Sequence, residues 1–191
     1  MLRLQGQTDI DLNEKGRTLA RETSLALKNI PFDLMISSPL HRAKETGEII
    51  LGKRNVPILV DDRIAEIGFG EMEGRHISPE EKHNPSSPFY RFFHDPANYI
   101  PPEGGETIRS LLDRTRAFLE ELREKKEWKD KTILISSHGA AVRALQAAIR
   151  EISAKDFWQY GVPKNCAVTI VDLEDGAWII KEQDVVYYED V

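Results

Sequence analysis

The stretch that decides the fold is Thr132-Ile133-Leu134-Ile135-Ser136-Ser137-His138-Gly139-Ala140-Ala141-Val142-Arg143. A short apolar run, Ile133 to Ile135, meets two serines and then His138-Gly139. Behind them an Ala-rich segment, Ala140 to Ile149, has the spacing of a buried helix. An apolar run of this length ahead of such a helix predicts a buried parallel strand feeding a crossover helix. His138 then stands at the strand's carboxyl end, beside the unpaired N–H groups of a helix N-terminus. Open α/β sheets bind ligands at that place, and helix N-termini hold anions. A loop histidine packed against a strand end is the plainer alternative, and a motif this short does not decide between them.

Outward from this stretch, the same design recurs. Phe32-Asp33-Leu34-Met35-Ile36 reads as a strand, Ser37-Ser38-Pro39 as a helix start with a serine cap, and Arg42 falls in the first helical turn. If the two strands are parallel neighbours, Arg42, His138 and two helix N-termini converge on one crevice. A guanidinium pairs bidentately with phosphate oxygens, and an imidazolium and backbone N–H groups add further donors. Glu66, in Ala65-Glu66-Ile67-Gly68, stands where a following loop-rich segment opens. A carboxylic acid beside a phosphate has a raised pKa and can protonate a leaving alcohol. Taken singly, Arg42 is also explained as a surface cation and Glu66 as a solvated turn residue.

The remaining elements fill in a pattern. Asn13 is placed to cap a helix over 14–29, stopped by Pro31, after an irregular polar start from Leu2 to Asp11. Val56 to Val60 reads as a short edge strand because Pro57 interrupts it. From Ile64 to Thr107 glycines and prolines forbid long elements, while Phe89, Tyr90, Phe92, Phe93 and Tyr99 offer surface for packing. A segment of that kind is a functional lid or a solvated insertion, and its aromatics favour the lid. Ile108, Leu111, Leu112, Thr115, Phe118, Leu119 and Leu122 mark one face of a helix starting at Glu106, whose carboxylate suits the positive end of the dipole. Glu174-Asp175-Gly176 between Ala167–Leu173 and Ala177–Glu182 signals a hairpin. Helices alternating with strands in this order predict a three-layer α/β sandwich with a mostly parallel sheet.

Composition bounds the partners. The 191 residues suit one domain, with 40% hydrophobic and 30% charged residues. A net charge of −6 without a basic tract excludes a nonspecific nucleic-acid binder. The single cysteine, Cys166, forbids an internal disulfide and suits a reducing cytoplasm. No apolar run is long enough to span a bilayer, and the N-terminus has no signal-peptide pattern. The expectation is a cytoplasmic protein with no membrane partner.

Ser37-Ser38-Pro39-Leu40-His41-Arg42-Ala43, the run from Glu66 to Gly74, the run from Pro101 to Thr107 and Ser137-His138-Gly139 resemble the histidine phosphatase superfamily. That family contains the cofactor-dependent phosphoglycerate mutases and related phosphatases. Arg3-Leu4-Gln5-Gly6-Gln7-Thr8-Asp9 is similar to its substrate loop, so the likeness spans nearly the whole chain in order. It implies a phosphoglycerate mutase-like fold over 1–191, with a lid insertion over about 68–106. It implies a phosphohistidine mechanism acting on a small phosphorylated metabolite, with no metal and no cofactor. By motif position Arg42 would bind phosphate, His138 would stabilise the transferring phosphoryl group, and Glu66 would be the acid/base. Gln5, Gly6, Phe69 and Gly139 would lie near substrate, and Glu106 would assist the acid/base work.

One element of the family is not found in this sequence. The family opens with a central strand ending in Arg-His-Gly, whose histidine is the nucleophile, whereas this chain begins at the substrate loop. His138 matches the second family histidine, not the nucleophile. As it stands, the chain is expected to lack the nucleophile, to turn over little, and to lack an inner strand of its sheet. Three explanations compete. Met1 is an internal residue of a longer enzyme; the chain is a remnant that binds phosphorylated ligands; or another chain fills the gap in a homo-oligomer. Between the enzyme readings, no Arg-Arg pair occurs in the lid, Phe69 and Ala140 depart from the mutase pattern, and Pro101 to Glu106 resembles the phosphatase branch. A phosphomonoester hydrolase is the preferred reading, and a phosphoglycerate mutase the alternative.

Overall fold

The computed structural model describes residues 2–189; Met1, an internal residue of a longer enzyme in one of the three explanations above, lies outside them. In chain order the elements are β1 (Leu2–Arg3), α1 (Glu14–Ala26), β2 (Leu34–Ser37), α2 (His41–Leu51), β3 (Ile58–Val60), β4 (His76–Ile77), α3 (Pro79–His83), α4 (Tyr90–His94), α5 (Ile108–Glu124), β5 (Ile133–Ser136), α6 (Gly139–Ile149), β6 (Val168–Glu174) and β7 (Ala177–Val185). None of the helices among the described residues is long and apolar enough to cross a membrane.

The core is a parallel sheet in the order β3-β2-β5, with Ile36 opposite both Leu59 and Ile135. Successive side chains of a strand point to opposite faces. Leu34 and Ile36 therefore face Phe118, Leu119 and Leu122 of α5 and Leu145 of α6, while Met35 lies against Gly47 of α2. Helix α1 packs on α2, and α5 on α6, giving helices on both faces of the sheet. The three-layer α/β arrangement is the expected one. As expected, β3 is an edge strand; Ile58, Leu59 and Val60 are all exposed. Strand β5 departs from expectation: Ile133 to Ile135 are half-buried rather than buried, and its only ladder partner among the described residues is β2. Strands β6 and β7 form a separate hairpin sheet turned at Asp175-Gly176, both at positive φ (49° and 81°) as a two-residue turn requires.

Other boundaries differ for identifiable reasons. The start of the chain is not irregular throughout, since Leu2 and Arg3 pair with Ile77 and His76 in an antiparallel ladder. Asn13 caps α1 by accepting from Gly16 N at 2.8 Å. That helix stops at Ala26, where the Arg54 guanidinium takes the carbonyls of Leu27 (3.0 Å) and Ile30 (2.8 Å). Helix α2 starts two residues later than the serine cap and proline suggested. Its N-cap is Leu40, with no side-chain cap; the His41 N–H is instead taken by Asp9 Oδ1 at 2.8 Å. Helix α5 buries the seven residues of its predicted face but starts at Ile108 rather than Glu106, with Thr107 as its cap accepting from Ser110 N at 3.0 Å.

The segment over 68–106 contains only short pieces of structure. Its two ends are joined, Phe69 bridging to Gly105 and Glu106 N donating to Gly68 O at 2.8 Å. Phe92 sits at the centre of an aromatic cluster, edge-on to Phe69, Tyr99 and Trp158 at 5.1 to 5.3 Å. Trp158 Nε1 donates to Phe92 O at 2.6 Å, and Phe89 is fully enclosed. These aromatics fasten the segment to the body; Phe89 lines nothing that solvent reaches.

Candidate active site

Strands β2 and β5 end side by side, with Ser37 opposite Ser136, and the chain beyond each supplies the site. Arg42 enters from the first turn of α2, almost buried. Its Nη1 donates to Thr8 O at 2.9 Å and its Nη2 to Gly6 O at 2.7 Å. The guanidinium fork thus holds the Gln5–Asp9 loop by its carbonyls, a use that sequence reasoning did not foresee. Desolvation pulls the Arg42 pKa down, opposed by the charges of Glu66, Asp9 and Glu73.

His138 is the N-cap residue of α6, and its Nε2 lies 2.7 Å from Ser38 Oγ. Burial, reinforced by the positive charges of Arg42 and Arg114, pushes its pKa down to about 3. The imidazole is therefore neutral at pH 7, whereas the sequence reading assumed an imidazolium. A phosphate dianion bound beside it would raise the pKa again by supplying the opposite charge.

The N-terminus of α6 is not left open for phosphate either. The carboxylate of Glu66 accepts from Ala141 N at 3.2 Å, Ala140 N at 3.3 Å and Ile67 N at 2.9 Å. Glu66 is drawn by the same backbone N–H groups that were expected to hold the ligand. Burial raises its pKa; the three hydrogen bonds and the Arg42 cation oppose that and do not overcome it. Glu73 lies in the opposite balance. Desolvation also pushes it up, but the Thr8 hydroxyl and the N–H groups of Gln7 (2.8 Å) and Phe69 (3.0 Å) outweigh this and leave it below the usual range. Two carboxylates pushed apart in this way take different tasks: Glu66 can carry a proton, and Glu73 stays anionic.

Glu73 also explains Gly6. At φ +56° a side chain there would be strained, and its Cβ would strike the Glu73 carboxylate. Gln7 Nε2 reaches Glu66 O at 3.0 Å, tying the loop to the acid. Of the other expected residues, Gln5 is exposed and accepts from Thr8 N at 3.2 Å through its carbonyl. Phe69 belongs to the buried aromatic cluster. Gly139 is the first residue of α6. Glu106 has both oxygens on Arg114, at 2.7 and 2.8 Å, and Arg114 in turn takes the carbonyls of Arg63, Ala65 and Glu66 at 2.7 to 3.1 Å. That pair braces the backbone on either side of Glu66. Ser38, Glu73 and Arg114 were missed. Ser38 was visible in the strand-Ser-Ser pattern and Glu73 lay within the motif run from Glu66 to Gly74, whereas nothing in the sequence marked Arg114.

Arg42, Glu66 and His138 thus come from three elements to one site at the carboxyl ends of parallel strands, where α/β proteins bind anionic ligands. Residues 2–185 match the histidine phosphatase superfamily (branch 1), and the chain belongs to it. Its relatives are phosphatases and phosphoglycerate mutase-like proteins. Phosphoserine phosphatase 1 of Hydrogenobacter thermophilus is 30% identical over 183 residues, covering 96% of this chain and 84% of the relative. The probable phosphoglycerate mutase GpmB of Shigella boydii is 31% identical over 179 residues, covering 93% and 80%. The solved structure of Bacillus stearothermophilus YhfR superposes with a TM-score of 0.86 at 30% identity, covering 97% of this chain and 90% of that one.

Proposed function

We propose that this chain forms the phosphate-binding body of a phosphomonoester hydrolase that acts through a phosphohistidine. The observation that carries the reading is the convergence of Arg42, Glu66 and His138 beside Ser38, all within one field of charge. The nucleophile is a histidine on a strand preceding Leu2, seated along the open edge of β5. In the first step the phosphorus–oxygen bond to the substrate breaks as phosphorus bonds to that imidazole, and Glu66 gives its proton to the leaving oxygen. In the second, water attacks the phosphohistidine, loses a proton to Glu66, and inorganic phosphate departs. Arg42 offsets the charge on the phosphoryl oxygens, and His138 donates a hydrogen bond to them.

Reading the gene in frame upstream of Met1 tests this. An apolar strand ending in Arg-His-Gly is expected, and a stop codon directly upstream overturns it. The extended protein should hydrolyse p-nitrophenyl phosphate in the presence of chelators. Arg42→Ala and His138→Ala should each lower kcat/KM by at least about 100-fold, and activity surviving His138→Ala argues against the assignment. The 191-residue chain should yield no phosphohistidine on rapid quench. The likeness to a probable mutase supports phosphoglycerate mutase as the second reading, opposed by the lid's lack of paired arginines.

A further inference from the structure

A side chain at residue 139 would meet only two neighbours. A Cβ placed on Gly139 lies 3.4 Å from Val162 Cγ1 and 3.8 Å from Glu66 Oε2, with no other described heavy atom beyond its chain neighbours and its own helix backbone within 4 Å. An exposed valine is ordinary on any surface, and Val162, 55% exposed, would pass unnoticed by that measure alone. What distinguishes it is how firmly its loop is held. Gly161, at φ +67°, gives its carbonyl to Arg143 Nε at 2.9 Å, and Tyr160 gives its carbonyl to Arg143 Nη2 at 3.1 Å. Arg143 is 1% exposed and lies on α6 one turn beyond Gly139, with Asp184 paired to it at 2.8 Å. A deeply buried cation is thus committed to fixing two loop carbonyls next to an apolar side chain left in solvent. Removing a charge from water is costly, so the placement of Val162 is built into the fold.

We propose that Val162, together with the bare Cα of Gly139, is the seat for the alcohol part of the substrate, and that it selects phosphate monoesters whose alcohol has an apolar face next to the ester oxygen. The proposal rests on the phosphomonoesterase reading, since Glu66 must serve the ester oxygen for the alcohol to lie here. An aryl or branched alkyl group rests on the valine methyls, while an alcohol bearing a charge beside the ester oxygen leaves that charge against hydrocarbon. Val162 is a specificity-determining residue in this scheme, and Arg143 is the positioning residue behind it.

Binding to the 191-residue chain tests this without turnover. Inorganic phosphate, methyl phosphate and phenyl phosphate are titrated at pH 7 while amide NMR shifts are followed, in the parent chain and in Val162→Ser and Val162→Leu. Phenyl phosphate is expected to bind about fivefold tighter than methyl phosphate in the parent. Val162→Ser should abolish that preference, Val162→Leu should keep it, and inorganic phosphate should bind all three within twofold. If phosphate binds but phenyl phosphate gains nothing, or its preference survives Val162→Ser, the seat is overturned and the hydrolase reading stands. If no phosphate binds at the site, the reading fails and takes the seat with it. The position is exposed, so an unchanged amide spectrum outside the loop confirms that each variant folds.

Discussion

His138 Nε2 and Ser38 Oγ, 100 residues apart in the chain, meet at 2.7 Å where the two central strands end. The contact joins β5 to β2 beyond the last ladder pair and sets the imidazole in a site that disfavours its charge. A base with a folded pKa near 3 and an ordinary value of 6.5 binds protons more readily in the unfolded chain. Its neutral placement therefore costs stability as pH falls below 6.5, and the cost grows until about pH 3. Between pH 7 and pH 5 the protein should lose about 2 kcal/mol from this residue alone. Urea denaturation at the two pH values, in the parent and in His138→Gln, checks it; the variant should show a correspondingly smaller loss.

Arg42→Lys keeps the charge and discards the fork. Lysine cannot span the Gly6 and Thr8 carbonyls together, so the loop should loosen and about 1.5 to 3 kcal/mol of stability should be lost. Thermal melts should show Tm falling by about 4 to 10 °C. An unchanged Tm would mean that the loop is held by Glu73 and Asp9 without Arg42.

Glu73 should act as an acid-sensitive latch. Its folded pKa is lowered, so its contribution is present above the ordinary carboxylate range and is lost as pH falls through the folded value. The amide resonances of Gln7 and Phe69, both donors to this carboxylate, should shift together on acidification. In Glu73→Gln they should shift no further with pH. Separate titrations for the two amides would contradict a shared latch.

Arg143→Met should be the most damaging of these changes. It leaves Asp184 and the carbonyls of Tyr160 and Gly161 without their buried partner, a loss of about 3 to 5 kcal/mol. Because the same arginine ties the β6–β7 hairpin to α6, limited proteolysis should cut between 160 and 185 before elsewhere. Cleavage beginning in the 68–106 segment instead would refute that ordering.

What could be read in advance was local. The α5 face, the Asn13 cap and the Asp175-Gly176 turn each depend on residues within a few positions of one another, so sequence spacing displays them. The convergence of Arg42, Glu66 and His138 was also legible, because the strand-Ser-Ser design repeats and the family motifs coincide with it. The functional details were not, because they depend on partners far along the chain. Asp9 caps α2 across 32 residues, and Glu66 occupies the start of α6 across 74. The reading that gave the α6 terminus to a phosphate was sound physics with the wrong anion. Glu106, expected to assist at the site, is paired with Arg114 eight residues on, a contact that no spacing rule signals.

Among the described residues the three-stranded parallel sheet has an unpaired rim on each side, apolar Ile58, Leu59 and Val60 along one and the half-covered β5 along the other. Strand rims of this sort recruit one another between molecules. Concentrated samples of the chain on its own should therefore turn cloudy before they melt, and a short extended peptide added in excess should keep them clear.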